Sequence, residues 1–173
     1  MGLFPFEKEL HIIENLLLEK EVEQSYTYQE WYEYFVKIYG KKHTNLHLYA
    51  IYSLICLIAH IYIAKYILEQ EVDFNSKQFL SKLITNLSNL VKENYDFEVS
   101  GALYYFVPFF KILEYSEFKK IEDLVKIVIS SMNSLNTTPE YIFDVLVQKL
   151  LSPYVRHKSG EFYTPPFIVK KMV

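Results

Sequence analysis

A candidate binding motif lies at the end of the chain, in the sequence RHKSGEFYTPPFIVKKMV at residues 156–173. Gly160 permits a backbone turn with positive φ, and Phe162-Tyr163 form a short aromatic, β-prone step. Thr164 is well placed as a helix N-cap, with Pro165 at the first helical position, where its missing N–H costs nothing. A helix that begins in this way presents unpaired backbone N–H groups and a positive dipole end, which suit a carboxylate or phosphate.

This segment resembles the opening of the catalytic domain in adenine-specific DNA methyltransferases of restriction–modification systems, such as type I modification subunits and fused type IIG enzymes. In that family a G-x-[FY]-Y-T-P stretch precedes the first core helix and lines the pocket for the methionine end of S-adenosylmethionine. The resemblance implies that Phe162, Tyr163, Thr164 and Pro165 bind this cofactor, with Gly160 as the turn. It implies no catalytic residue and no metal ligand in this chain. The alternative is an ordinary capped helix start in an α protein.

The preceding helix carries a weaker resemblance to the same family, where a D-x-L-G-x-x-Y-E-x-L-L pattern is frequent. Asp144, Leu146 and the pair Leu150-Leu151 match that pattern. Val147 replaces the small residue, and Lys149-Leu150 stand where Tyr-Glu is usual. The departures weaken the match for this helix and leave the terminal segment unaffected.

In that family, two further motifs follow this segment along the chain, and both are missing from this sequence. The glycine-rich loop is one, since none of the four glycines forms a G-x-G. The Asn/Asp-Pro-Pro-aromatic motif that holds the flipped adenine is the other, since Pro165-Pro166 follows Thr164. We therefore expect a chain without methyltransferase activity of its own, cut at the start of the catalytic domain of a parent enzyme. In the parent, the helical region is expected to assist binding of DNA or of a specificity subunit.

Composition limits the class of protein. The formal net charge of −3, from 18 Lys and Arg against 21 Asp and Glu, argues against a self-sufficient duplex-binding module. Only 4 glycines and 6 prolines disfavour a turn-rich β fold. Cys56 is the single cysteine, which excludes an internal disulfide and a cysteine-cluster zinc site and fits a cytoplasmic protein. The N-terminus has no secretory signal pattern.

Hydrophobic periodicity predicts an all-α fold, a bundle of six to eight helices around a central apolar helix. Residues 1–152 form the predicted helical N-terminal domain, and residues 153–173 the linker and opening segment of the absent catalytic domain. An S/T-x-x-E capping box at Thr27 and Glu30 predicts the start of the second helix, and Gly40 its C-cap. Residues 101–115 stay ambiguous because of Pro108. The predicted helices are Phe6–Glu23, Thr27 to Gly40, Leu46–Leu68 after Thr44 or Asn45, a helix capped by Asn75 or Ser76 that ends near Lys92, Glu117–Leu135, and Pro139–Leu151 with Thr138 as its N-cap.

Several patterns admit a second interpretation. The apolar run at 46–68 is long enough to suggest a membrane span, but its histidines, tyrosines and the lack of a second span favour a buried helix. The aromatic cluster at 26–35 suggests base stacking, but only Lys37 brings a positive charge near it, so core packing is favoured.

His43 and His47 share metal-ligand spacing without a carboxylate nearby in sequence, so we predict no metal. The adjacent acids Glu122-Asp123 are predicted to be surface residues.

A function of another class remains open beside the methyltransferase interpretation. The chain could be a stand-alone all-α interaction protein that forms an oligomer and needs no cofactor.

Overall fold

A computed structural model describes residues 6–62, 118–134 and 148–159 of the chain. These residues are mostly helical and include no strand, which confirms the all-α prediction. The predicted helix at 76–92 and the ambiguous stretch at 101–115 lie outside the described residues. The helices are α1 (Glu7–Glu19), a 3-10 turn (Val22–Gln24), α2 (Tyr26–Tyr39), α3 (Leu46–Tyr62), α4 (Phe118–Ser134) and α5 (Pro153–Ser159), and residues 148–150 are also helical.

Helix α1 is shorter than its apolar pattern predicts. Its core face is the expected one, with Ile13 and Leu17 fully buried. The helix ends at Glu19 rather than Glu23, because Glu21 takes a left-handed conformation at φ 48° and the chain turns there. The turn places Val22 in the core at 4 % exposure, an apolar contact that a continued helix would direct elsewhere.

Helix α2 begins at Tyr26, two residues before the start that the capping-box pattern predicts. Ser25, in an extended conformation, is the N-cap, and its Oγ accepts a hydrogen bond of 3.2 Å from the backbone N–H of Tyr28. Thr27 therefore lies inside the helix, and the predicted Thr27–Glu30 capping box is wrong. At the other end the prediction is confirmed: Gly40, at φ 79°, donates its N–H to the carbonyl of Val36.

Substituting each of the two possible N-cap residues of α2, Ser25 and Thr27, tests which of them caps the helix. Ser25→Ala removes the acceptor for a helix N-terminal N–H and is expected to lower the free energy of unfolding by about 1 kcal/mol. Thr27→Ala is the matched control and is expected to change it by less than about 0.5 kcal/mol. Urea unfolding of both variants decides between the caps, and a larger loss in Thr27→Ala would restore the capping box.

Helix α3 is the central apolar helix that the sequence predicts. Asn45, one of the two expected caps, accepts a 3.0 Å hydrogen bond from the N–H of Leu48, whereas Thr44 donates to the carbonyl of Gly40. The buried hydroxyl of Ser53 donates back to the carbonyl of Tyr49 at 2.8 Å, so this polar atom is satisfied inside the core. α3 packs chiefly against α1. Its fully buried residues are Tyr49, Ala50, Leu54, Leu57, Ile58 and Ile61.

The membrane interpretation finds no support in the described helices, none of which combines the length and apolar character needed to cross a bilayer.

Helix α4 packs against α1. It buries Leu124, Val125, Val128 and Met132, the face that its sequence predicts, and Asp123 is exposed as expected. A polar contact crosses this interface: Ser131 Oγ donates a 2.6 Å hydrogen bond to Oε1 of Glu9, which is only 2 % exposed. A carboxylate buried among apolar side chains is tolerated only when such a partner replaces water.

Candidate functional site

The residues predicted to bind S-adenosylmethionine lie just beyond the last described residue, Ser159. Phe162, Tyr163, Thr164 and Pro165, together with the predicted turn at Gly160, are outside the described residues. Their role therefore stays a prediction from the sequence resemblance. The structure describes the helix that leads to them.

That helix, α5, covers residues 153–159, the first part of the segment 153–173 that the sequence predicts to be a linker and opening segment. Ser152 caps it, with Oγ accepting from the N–H of Val155 at 3.3 Å, and Pro153 occupies the first turn. Val155 is 3 % exposed and Leu151 2 %, and α5 packs against α2. Residues 153–159 are thus a helix docked on the body. Ser152-Pro153 is a hydroxyl residue followed by proline, the same helix-start pattern as Thr164-Pro165. That pattern is the sequence signal for this helix.

An aromatic contact joins α5 to the turn between α2 and α3. The rings of Tyr154 and His43 stack with centroids 4.2 Å apart and an interplanar angle of 24°. Lys158 Nζ lies over the same tyrosine ring, 6.0 Å from its centroid. The ring of Tyr154, 44 % exposed, is therefore engaged by a histidine and a cation at the surface of the molecule.

The aromatic cluster of α2 divides into a buried and an exposed part. Trp31 and Tyr28 are in the core, and each packs edge-on against Tyr49 of α3 with ring centroids 5.0 Å apart. Burial raises the pKa of the Tyr28 and Tyr49 hydroxyls above the ordinary tyrosine value, so both stay neutral. Tyr26 and Tyr34 are exposed at 74 % and 51 %. The favoured interpretation, core packing, is confirmed for the buried members.

The histidine pattern does not produce a metal site among the described residues. His47 Nδ1 contacts the Glu14 carboxylate of α1, so a carboxylate lies near it after all, supplied by a residue distant in sequence. His11 is 3.9 Å from the other oxygen of the same carboxylate. No group of three or more histidine, cysteine or acidic side chains in the described part of the chain is arranged to hold a metal ion.

Cys56 is not placed for nucleophilic chemistry. Its side chain is half-buried on α3, and burial raises the pKa of the thiol to about 12. The reactive thiolate is therefore rare at neutral pH. This agrees with the sequence interpretation of Cys56 as a small apolar residue of the core.

Comparison of the chain with protein-family models, with curated proteins and with solved structures finds no match in any of the three.

Proposed function

We propose that this chain is the N-terminal helical region of an adenine-specific DNA methyltransferase of a restriction–modification system. In this proposal the helical body assists binding of DNA or of a specificity subunit in the cytoplasm, and the chain has no activity of its own. The observation that carries the proposal is the segment RHKSGEFYTPPFIVKKMV at residues 156–173, which resembles the start of the catalytic domain in that family.

The cofactor would supply a methyl group for the exocyclic amino group of adenine. In this proposal, the role of this chain is to bind the methionine end of S-adenosylmethionine. The helix that the sequence predicts to begin at Thr164 and Pro165 would present N–H groups and a positive dipole end that suit the methionine carboxylate. Phe162 and Tyr163 offer apolar contact to its aliphatic part.

Helix α5 gives this arrangement a fixed starting point. The proposed binding segment begins at the residue after Ser159, the last residue of α5. Leu151 and Val155 are buried and α5 packs against α2, so the proposed segment follows a helix that is packed on the body. A cofactor pocket needs such support, since its contacts must be held to within a fraction of an ångström.

The proposal is tested by reading the native gene past the codon for Val173 and producing the protein that it encodes. We expect a glycine-rich loop and an Asn/Asp-Pro-Pro-aromatic motif, and transfer of labelled methyl groups from S-adenosylmethionine to adenine in DNA. Tyr163→Ala should weaken cofactor binding by roughly tenfold, because an aromatic contact is lost. Tyr26→Ala, an exposed tyrosine of α2, is the matched control and should bind cofactor normally.

The contrary result is equally definite. A stop codon directly after Val173, or an extended protein that binds no S-adenosylmethionine, would remove Phe162, Tyr163, Thr164 and Pro165 from any cofactor site. The alternative, an all-α interaction protein, would then be favoured, and the oligomeric state of the purified chain would be its first test.

A further inference from the structure

Charge is distributed very unevenly over the described residues. Between residues 7 and 33, which form α1, the 3-10 turn and the first half of α2, there are eight acidic residues and two lysines. Residues 34–62 contain three lysines and no acidic residue, and residues 148–159 contain two lysines, one arginine and no acidic residue. The net charge of −3 therefore conceals two basic stretches that are far apart in sequence.

The fold brings these two stretches together. The stack of His43 on Tyr154 joins the turn after α2 to helix α5, and Lys158 lies over the same ring. Lys41 and Lys42 immediately precede His43 and are exposed, as are His157 and Lys158. We call the result the basic surface, formed by Lys41, Lys42, His43, Tyr154, His157 and Lys158.

Helix electrostatics accounts for only half of this surface. Arg156, His157 and Lys158 fall in the last turn of α5, where cations are favoured by the negative end of the helix dipole. Lys41 and Lys42 lie in the turn beyond Gly40, outside any helix. Placing them beside another basic stretch adds like-charge repulsion, which weakens the folded state unless an anion relieves it.

We propose that the basic surface binds the phosphate backbone of duplex DNA. The inference rests on the proposed function and assigns the DNA contact to a particular face of the helical region. Lysine ammonium groups recognise phosphate as point charges and carry no base preference. The single aromatic ring in the surface is already engaged by His43 and Lys158, so it is not a vacant platform for an unpaired base. That favours contact with a duplex backbone over capture of a single strand.

The position of the surface fits this role. Helix α5 contributes part of it and ends directly before the segment proposed to bind cofactor. DNA held there would lie beside the point where the catalytic domain begins. The eight acidic residues between residues 7 and 33 repel DNA. We therefore expect weak, strongly salt-dependent binding by this chain, with a dissociation constant of about 10⁻⁴ to 10⁻⁶ M, the range typical of non-specific contacts.

The test uses the whole chain of 173 residues and a short fluorescein-labelled duplex of arbitrary sequence, with binding followed by fluorescence anisotropy between about 50 and 200 mM salt. The double variant Lys42→Gln with Lys158→Gln removes one charge from each half of the surface. We expect its affinity to fall roughly tenfold and the slope of log K against log salt to fall by about 2. Circular dichroism checks that the variant keeps its helices.

The matched control is Lys8→Gln with Lys20→Gln, which alters the net charge equally at exposed positions on and beside α1. We expect its affinity to stay within about twofold of the original chain. Equal losses in the two double variants, or no DNA binding at all by the original chain, would overturn the proposal. Tighter binding to a duplex RNA of the same length would overturn the assignment to DNA.

These outcomes are separable from the proposed function. Salt-dependent binding through this surface, combined with an extended protein that transfers no methyl group, supports the surface and refutes the methyltransferase proposal. Methyl transfer by the extended protein, combined with no effect of the Lys42 and Lys158 substitutions on DNA affinity, supports the enzyme and refutes the surface.

Discussion

Trp31→Ala is expected to lower the free energy of unfolding by about 3–5 kcal/mol, the largest effect of any substitution proposed for this chain. Trp31 is completely buried and lies within 5.4 Å, centroid to centroid, of the rings of Tyr28, Phe35 and Tyr49. Truncation removes the apolar area of the indole and leaves a cavity between α2 and α3 that the surrounding rings fill only in part. With total stability usually about 5–15 kcal/mol, the loss is a large fraction of the whole.

The measurement is urea unfolding followed by circular dichroism, because Trp31 is the only tryptophan and its fluorescence disappears in the variant. Trp31→Phe is the informative companion. It keeps an aromatic ring and removes the indole N–H, which is buried with no hydrogen-bond partner among the described residues. We expect its cost to be below about 2 kcal/mol. Tyr26→Ala, exposed on the same helix, should cost less than about 1 kcal/mol, and an equal cost for it would contradict the buried position of Trp31.

Ser131→Ala is expected to lower the free energy of unfolding by about 1.5–3 kcal/mol, although it removes a single oxygen atom. The hydroxyl of Ser131 donates to the buried carboxylate of Glu9 across the interface of α4 and α1. Without it, a group that is only 2 % exposed loses a hydrogen bond and gains little water in return. Ser134→Ala, at an exposed position of the same helix, is the control and should stay within about 0.5 kcal/mol.

A double-mutant cycle separates the hydrogen bond from other effects of the substitution. Glu9→Met removes the carboxylate and keeps the length of the side chain. In the Glu9→Met background, Ser131→Ala is expected to cost less than about 0.5 kcal/mol, since no buried acceptor remains unpaired. A coupling energy near zero would show that the two side chains do not interact and that α4 packs on α1 in another register.

Among the described residues, the structure confirms helices that the local apolar pattern predicts. The 3.6-residue spacing of Leu124, Val128 and Met132 on α4 identifies its buried face without knowledge of the neighbouring helix, because one side of the helix carries nearly all of its apolar area. The same is true of α3, which is apolar on most sides and therefore had to be central. Gly40 marks a helix end because its positive φ suits glycine.

Helix boundaries were less predictable, because several residues can offer the same capping group. Ser25 and Thr27 both carry a hydroxyl, and Glu30 completed a capping box only for Thr27. The helix nevertheless begins after Ser25, in the position that brings Tyr28 and Trp31 together into the core. Ser25 itself supplies the capping hydrogen bond, to the N–H of Tyr28, so the earlier start adds helical residues without losing a cap.

The helical class, the central helix and the terminal segment that carries the functional proposal could all be predicted from the amino-acid sequence, since each depends on residues close together in the chain. The pairs that join distant residues become visible in the folded molecule: Glu9 with Ser131, Glu14 with His47, and His43 with Tyr154. The hydrophobic periodicity of a single helix cannot predict such pairs, because they depend on the direction in which one helix crosses another. The basic surface belongs to this second group. A net charge of −3 hides it, and it exists only where α5 docks beside the turn after α2.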